Sequence, residues 1–217
     1  MKSRDSTGRN GPGFAIPSPS GRATRRPDMN VVTKIEPRAV APEILCRSVP
    51  GEIVEWLDAL APDALPSARF IAPAERIGDE LPKGCVPWLR NDIAALARDF
   101  AARAGGGELE VRLECIDDDA CSRFHQDHVS MRLLSTYRGP GTQWVAPGEA
   151  DLALRRQRDF RGTVHEMPRF SVGIFAGRKD VSGGVVHRSP PILGTNLTRL
   201  LLCLTPAAEG CGCPLDH

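Results

Sequence analysis

Two spacings of apolar residues divide the chain. After Pro50, the residues Ile53, Trp56, Leu57 and Leu60 recur at helical intervals until Pro62 stops them, and Leu89, Ile93, Leu96, Ala97 and Phe100 repeat the pattern farther on. Asn91 or Asp92 can cap the second helix, and Gly105, Gly106 and Gly107 end it with residues that accept positive φ. From Glu108 the period becomes two. Leu109, Val111, Leu113 and Cys115 share one face and Glu108, Glu110, Arg112 and Glu114 the other, which predicts a half-buried strand with one side in water. The next alternating run places His125, Asp127, Val129, Met131, Leu133, Ser135 and Tyr137 on one parity. If that run stays extended, the face of His125 is also the buried face; a bulge would reverse one half.

A turn at Gly139-Pro140-Gly141 precedes a short extended segment at 142–145, and residues 146–162 read as an irregular, charged loop able to cover a site. Segments 169–177, 184–188 and 197–204 supply three more strands between Gly and Pro punctuation. Helices first and many short strands afterwards predict an α+β fold, a double-stranded β-helix (jelly-roll) core buttressed by the N-terminal helices.

Composition sets the limits around this core. Residues 1–30 are rich in Ser, Gly, Pro and Arg and read as a disordered tail; 31–206 form the single domain, and 207–217 a Cys-rich C-terminal tail. The formal net charge of +1 gives no general attraction to nucleic acid or to an anionic membrane surface, so a small-molecule or protein substrate is the expected partner. No stretch approaches the roughly 20 apolar residues that cross a bilayer, and the N-terminus lacks the apolar core of a secretory signal. Seven cysteines, an odd number in a chain of this size, fit the reducing cytoplasm, which is the expected location. Cys115 and Cys203 lie in apolar runs and read as core residues.

The candidate chemistry rests on three residues. His125 and Asp127, in Phe124-His125-Gln126-Asp127, are one residue apart, so an extended strand aims both at one point. His187, in Val186-His187-Arg188-Ser189-Pro190-Pro191, can join them if the strands close into a jelly roll. Two imidazoles and one carboxylate with positions left open form the usual non-haem Fe(II) site, with room for a bidentate 2-oxo acid and dioxygen. The competing reading of His125 and Asp127 is a surface turn whose carboxylate caps the backbone. For the far carboxylate of 2-oxoglutarate the chain offers Arg199, whose planar fork suits bidentate binding, and Tyr137 can add a hydroxyl. Against these stand an Arg199 at an edge strand facing solvent and a Tyr137 capping the core with its hydroxyl in water. In the tail, Cys211, Cys213 and His217 either bind Zn²⁺ or Cu(I) or form an inert end.

With these segments and Arg132-Leu133-Leu134-Ser135-Thr136-Tyr137-Arg138-Gly139-Pro140-Gly141-Thr142-Gln143-Trp144 in view, the chain resembles, over about residues 42–205, a bacterial family catalogued only as a domain of unknown function. Its members tend to be encoded beside zinc-homeostasis genes, which implies a metal-related role. The His-x-Asp and distal His-Arg segments are similar, more remotely, to those of 2-oxoglutarate-dependent dioxygenases, which implies His125, Asp127 and His187 as iron ligands. Beyond Arg199 no second anchoring motif for the oxo acid is evident. Three readings follow: an Fe(II), 2-oxoglutarate-dependent oxygenase; a zinc-binding homeostasis protein using the same residues; and a metal-free jelly-roll binding module.

Overall fold

The computed structural model describes residues 40–179 and 183–209. The expected disordered tail at 1–30 and the Cys211, Cys213 and His217 cluster lie outside the described residues. In chain order the strands are β1 (Glu43–Leu45), β2 (Ala68–Pro73), β3 (Glu108–Ile116), β4 (Met131–Arg138), β5 (Gln143–Trp144), β6 (His165–Glu166), β7 (Val172–Ala176), β8 (His187–Arg188) and β9 (Arg199–Pro206). The helices are α1 (Gly51–Ala59), α2 (Ile77–Glu80), α3 (Pro87–Arg103) and α4 (Ala150–Arg156).

All pairings are antiparallel, in a large sheet ordered β1-β7-β4-β9-β3-β2 and a small one ordered β6-β5-β8. His125 extends the small sheet by a bridge to His187. From β3 onward the chain therefore visits the large sheet, the small sheet at His125, the large sheet in β4, the small sheet in β5 and β6, then β7, β8 and β9 alternately. Eight strands shared this way between two sheets make the expected jelly roll, and β1 and β2 widen the large sheet at its edges.

Both expected helices are present as α1 and α3. α3 starts earlier than its polar residues suggest, at Pro87, whose fixed φ suits the first helical position. Asn91 and Asp92 are thus inside the helix and cap nothing. Asp92 instead accepts hydrogen bonds from Arg47 and Tyr137 across the helix–sheet interface. Gly105, Gly106 and Gly107 end α3 with φ of 85°, 89° and 95°. Leu89, Ile93, Ala97 and Phe100 are fully buried against Leu109, Val111 and Leu113 of β3 and Leu200, Leu202 and Leu204 of β9.

The alternation in β3 is as expected, but its polar face does not look into water. The apolar face meets the helices, so Glu110, Arg112 and Glu114 turn toward the space between the sheets, where Glu110 is buried and Arg112 pairs with Glu114. Of the two cysteines expected in the core, Cys203 is buried and Cys115 is half-buried. Within 146–162, read as a loop, α4 forms because Ala150 and Ala153 make a narrow apolar stripe against Phe124, Val145 and Phe160; the surrounding arginines mask it. No helix among the described residues is long and apolar enough to cross a membrane.

Candidate metal centre between the sheets

His125 and His187 face each other across the bridge, each backbone N–H donating to the other's carbonyl at 2.9 and 3.0 Å. Their rings lie 4.5 Å apart between centroids. Asp127 follows just before a bend at 128–130, and its carbonyl accepts the Arg178 N–H at 2.8 Å. Its carboxylate is only 2 % exposed, with Oδ1 3.7 Å from His125 Nε2 and Oδ2 3.5 Å from His187 Nε2. The structure thus brings together the three residues expected as ligands, with one donor atom of each lying within 4.8 Å of the others.

The backbone orients both rings. His125 Nδ1 lies 2.8 Å from the Arg123 carbonyl and His187 Nδ1 lies 3.1 Å from the Val185 carbonyl. A carbonyl oxygen only accepts, so each Nδ1 carries a proton and, in the neutral ring, Nε2 presents a lone pair toward Asp127. Burial pushes His187 down to about 4, against the pull of Asp127, so it is neutral at ordinary pH. Burial opposes ionisation of Asp127 as well, but the groups around it, His187, Arg132 and His125, outweigh that cost and hold its carboxyl below the usual range. Arg132 Nη1 sits 2.9 Å from Oδ1 and Arg132 Nε donates to Thr205 at 3.2 Å. Even so, neither buried oxygen of Asp127 receives a well-aligned hydrogen bond. Two lone pairs and an anionic group that lacks its donors make a self-repelling set, and a divalent cation with nitrogen and oxygen preference fits it.

Arg199 is fully buried at the start of β9. Its Nε donates to the Pro140 carbonyl at 2.8 Å, Nη1 to Ser189 Oγ at 2.8 Å, and Nη2 to Thr142 and Thr136 hydroxyls at 3.3 and 3.4 Å. Burial draws its pKa down to about 10, which leaves it positive at neutral pH, and among the described residues no carboxylate pairs with it. Ser189 and Thr142 line a cavity of about 60 Å³ together with His125 and His187. Arg112, Glu114, Cys121 and Ser189 also line an adjoining outer cleft of about 310 Å³, which gives the cavity a way out to solvent.

Tyr137 is the correction. It is buried, but on the other face of β4, where its hydroxyl donates to Asp92 and its ring meets Phe170 edge-on at 6.3 Å between centroids. The strand does not run unbroken from His125: residues 126–127 are irregular and 128–130 bend, so the parity starts afresh at Met131; Arg132 and Leu134 face the cavity and Thr136 faces Arg199. Arg132, Thr142 and Ser189 were absent from the sequence expectations. Ser189 was readable in principle, since it lies two residues beyond His187 on the same strand face. His128 and His165 are exposed, and His165 stacks on Trp144.

Fold and site together define a jelly roll with a candidate His-Asp-His metal centre between its sheets. The chain belongs to the family described as "Protein of unknown function (DUF1826)", whose model matches residues 26–205. No curated protein matches it by sequence. Among solved structures it is similar to a dioxygenase for auxin oxidation from rice, with 14% identity and a TM-score of 0.42 over 80% of this chain and 76% of that one. It is also similar to a prolyl-4-hydroxylase from Pseudomonas putida, with 13% identity and a TM-score of 0.39 over 76% and 85% of the two chains. A third is Neurospora crassa T7H in complex with alpha-KG, with 17% identity and a TM-score of 0.34 over 73% and 64%.

Proposed function

We propose that the protein is a non-haem Fe(II) oxygenase that takes 2-oxoglutarate as cosubstrate. One observation carries the reading: the Nε2 atoms of His125 and His187, each fixed by a backbone carbonyl, converge on a buried Asp127 carboxylate whose oxygens lack aligned donors. This donor set on one side of an ion leaves positions for an oxo acid and dioxygen. Iron held there would supply the activation of dioxygen coupled to decarboxylation of the oxo acid. The remaining work belongs to the chain. Arg132 pairs with Oδ1 of Asp127, which would leave Oδ2, nearer His187, free to serve an ion. Arg199, positive and held by the Pro140 carbonyl and the hydroxyls of Ser189, Thr142 and Thr136, receives the far carboxylate, with Ser189 and Thr142 adding hydrogen bonds. Phe175 packs edge-on against the His187 ring at 4.9 Å and keeps water from that side. The substrate, a small molecule or a protein side chain, enters from the outer cleft.

Anaerobic reconstitution with Fe(II), followed by visible absorption as 2-oxoglutarate is added, tests this. A charge-transfer band is expected in the wild type and not in His187→Ala. Arg199→Met should retain metal and require about 100-fold more 2-oxoglutarate for the same band, the loss expected when a buried charged partner is removed. Bound metal without any band would overturn the oxygenase reading in favour of a zinc-binding protein. No bound metal would leave the ligand-binding module.

A further inference from the structure

We infer that Gln157 is a positioning residue for the metal centre: its side-chain amide acts as an extra rung of the small sheet and fixes the backbone that carries His125. The inference rests on the metal-site reading above. His125 pairs with His187 through a single bridge, which alone is a weak hold on a ligand strand. One residue earlier, the Phe124 N–H donates to Gln157 Oε1 at 2.8 Å and Gln157 Nε2 donates to the Phe124 carbonyl at 2.9 Å. That reciprocal pair is what a neighbouring strand would offer, so a side chain completes the ladder where no strand is available. The same Nε2 also donates to the Leu154 carbonyl at 2.9 Å, which ties the clamp to the end of α4. Phe124 is itself buried, packed edge-on against Phe160, and the carbonyl that orients the His125 ring belongs to Arg123, just before the clamped residue.

The backbone of Gln157 says that the side chain matters. Its φ of 53° and ψ of −117° are disfavoured for any residue with a Cβ, and they follow directly on α4, where glycine is the usual occupant of a positive-φ position. A chain selecting only for the turn would carry glycine there. Glutamine keeps the strained conformation and gains the clamp.

The measurement is a Co(II) titration of the full-length protein by visible absorption, with thermal unfolding of the metal-free protein alongside. Wild type should bind Co(II) and His125→Ala should not; failure of that comparison overturns the metal-site reading itself. Given that result, Gln157→Gly relieves the backbone strain while deleting the clamp, so its metal-free melting temperature should fall little. Its Co(II) dissociation constant should rise about 10- to 100-fold, with altered ligand-field bands, as for other groups that hold a metal ligand in place. Gln157→Met, which keeps the bulk and removes the hydrogen bonds, should weaken Co(II) similarly and serves if the glycine variant does not fold. An unchanged dissociation constant and spectrum in either folded variant would overturn the inference.

Discussion

Replacing Arg132 by methionine tests whether the Asp127 carboxylate is ionised and poised in the metal-free protein. The two side chains are 6 % and 2 % exposed and 2.9 Å apart, so Arg132→Met leaves a buried anion flanked by two imidazoles with only the weaker influence of Arg112 besides. Removing one member of a buried pair costs about 3–5 kcal/mol, because the partner keeps its desolvation penalty without its compensation. With a urea m-value of about 2 kcal/mol/M, the midpoint should drop by roughly 1.5–2.5 M. Asp127→Asn should also destabilise, by removing the buried charge that faces the guanidinium at 2.9 Å. The double variant should cost much less than the sum of the two, since both members of the charge pair are then removed together. The assay is urea unfolding followed by fluorescence in the presence of a chelator. A saturating divalent ion supplies the missing positive charge, so the deficit of Arg132→Met should shrink when the titration is repeated with metal. Single variants each costing less than about 1 kcal/mol, or costs that simply add, would refute the picture of a strongly coupled, ionised pair.

Three other outcomes are expected. In the metal-free chain His187 titrates near about 4 when folded and near about 6.5 when unfolded, so between those values the unfolded chain binds more protons; the urea midpoint should fall as pH is lowered from about 6.5 toward 4, with a flatter profile in His187→Gln. Gly177→Ala would place a Cβ 1.8 Å from the Val129 carbonyl oxygen, forcing the loop after Asp127 to move; a loss of about 1–3 kcal/mol in chemical denaturation and weaker metal binding in a titration should accompany it. Phe100→Ala empties a fully buried position on the helix side of the large sheet and should cost about 3–5 kcal/mol by the same denaturation assay, while the metal affinity of the folded fraction stays unchanged.

The sequence carried the parts of this fold that depend on a repeated spacing. α1, α3 and the alternation of β3 were legible because several residues vote for one period. The pairing of His125 and Asp127 with His187 was legible from chemistry and from the expectation of strand closure. Tyr137 was misplaced because parity propagates only along an unbroken strand, and the chain bends at 128–130. Burial does not reveal that error, since both faces of β4 are covered. The same break turns Arg132 toward the cavity, on the parity opposite to that of His125. β1 and β6 were missed because three- and two-residue strands leave no period to count, and β2 because it is an edge whose burial is incomplete. Gln157 had no local signal at all: its meaning comes from a backbone angle and a partner thirty-three residues away.

The uneven lining of the two faces of the large sheet divides the molecule's cohesion. Its helix side is a continuous apolar mass, while its inner side carries Glu110, Arg112, Arg132, Thr136 and Arg199 and only a small apolar cluster around Leu134, Phe175 and Val185. The helices and large sheet therefore form the apolar base of the molecule. The small sheet, which carries His125 and His187, is held to that base by few apolar contacts and by polar links such as Arg132 to Asp127. A seam with more polar than apolar contacts is where local opening without global unfolding is expected. An ion joining the two histidines to an aspartate anchored on the base would act as a rivet between the halves, so the occupancy of the site would set how often its own walls part.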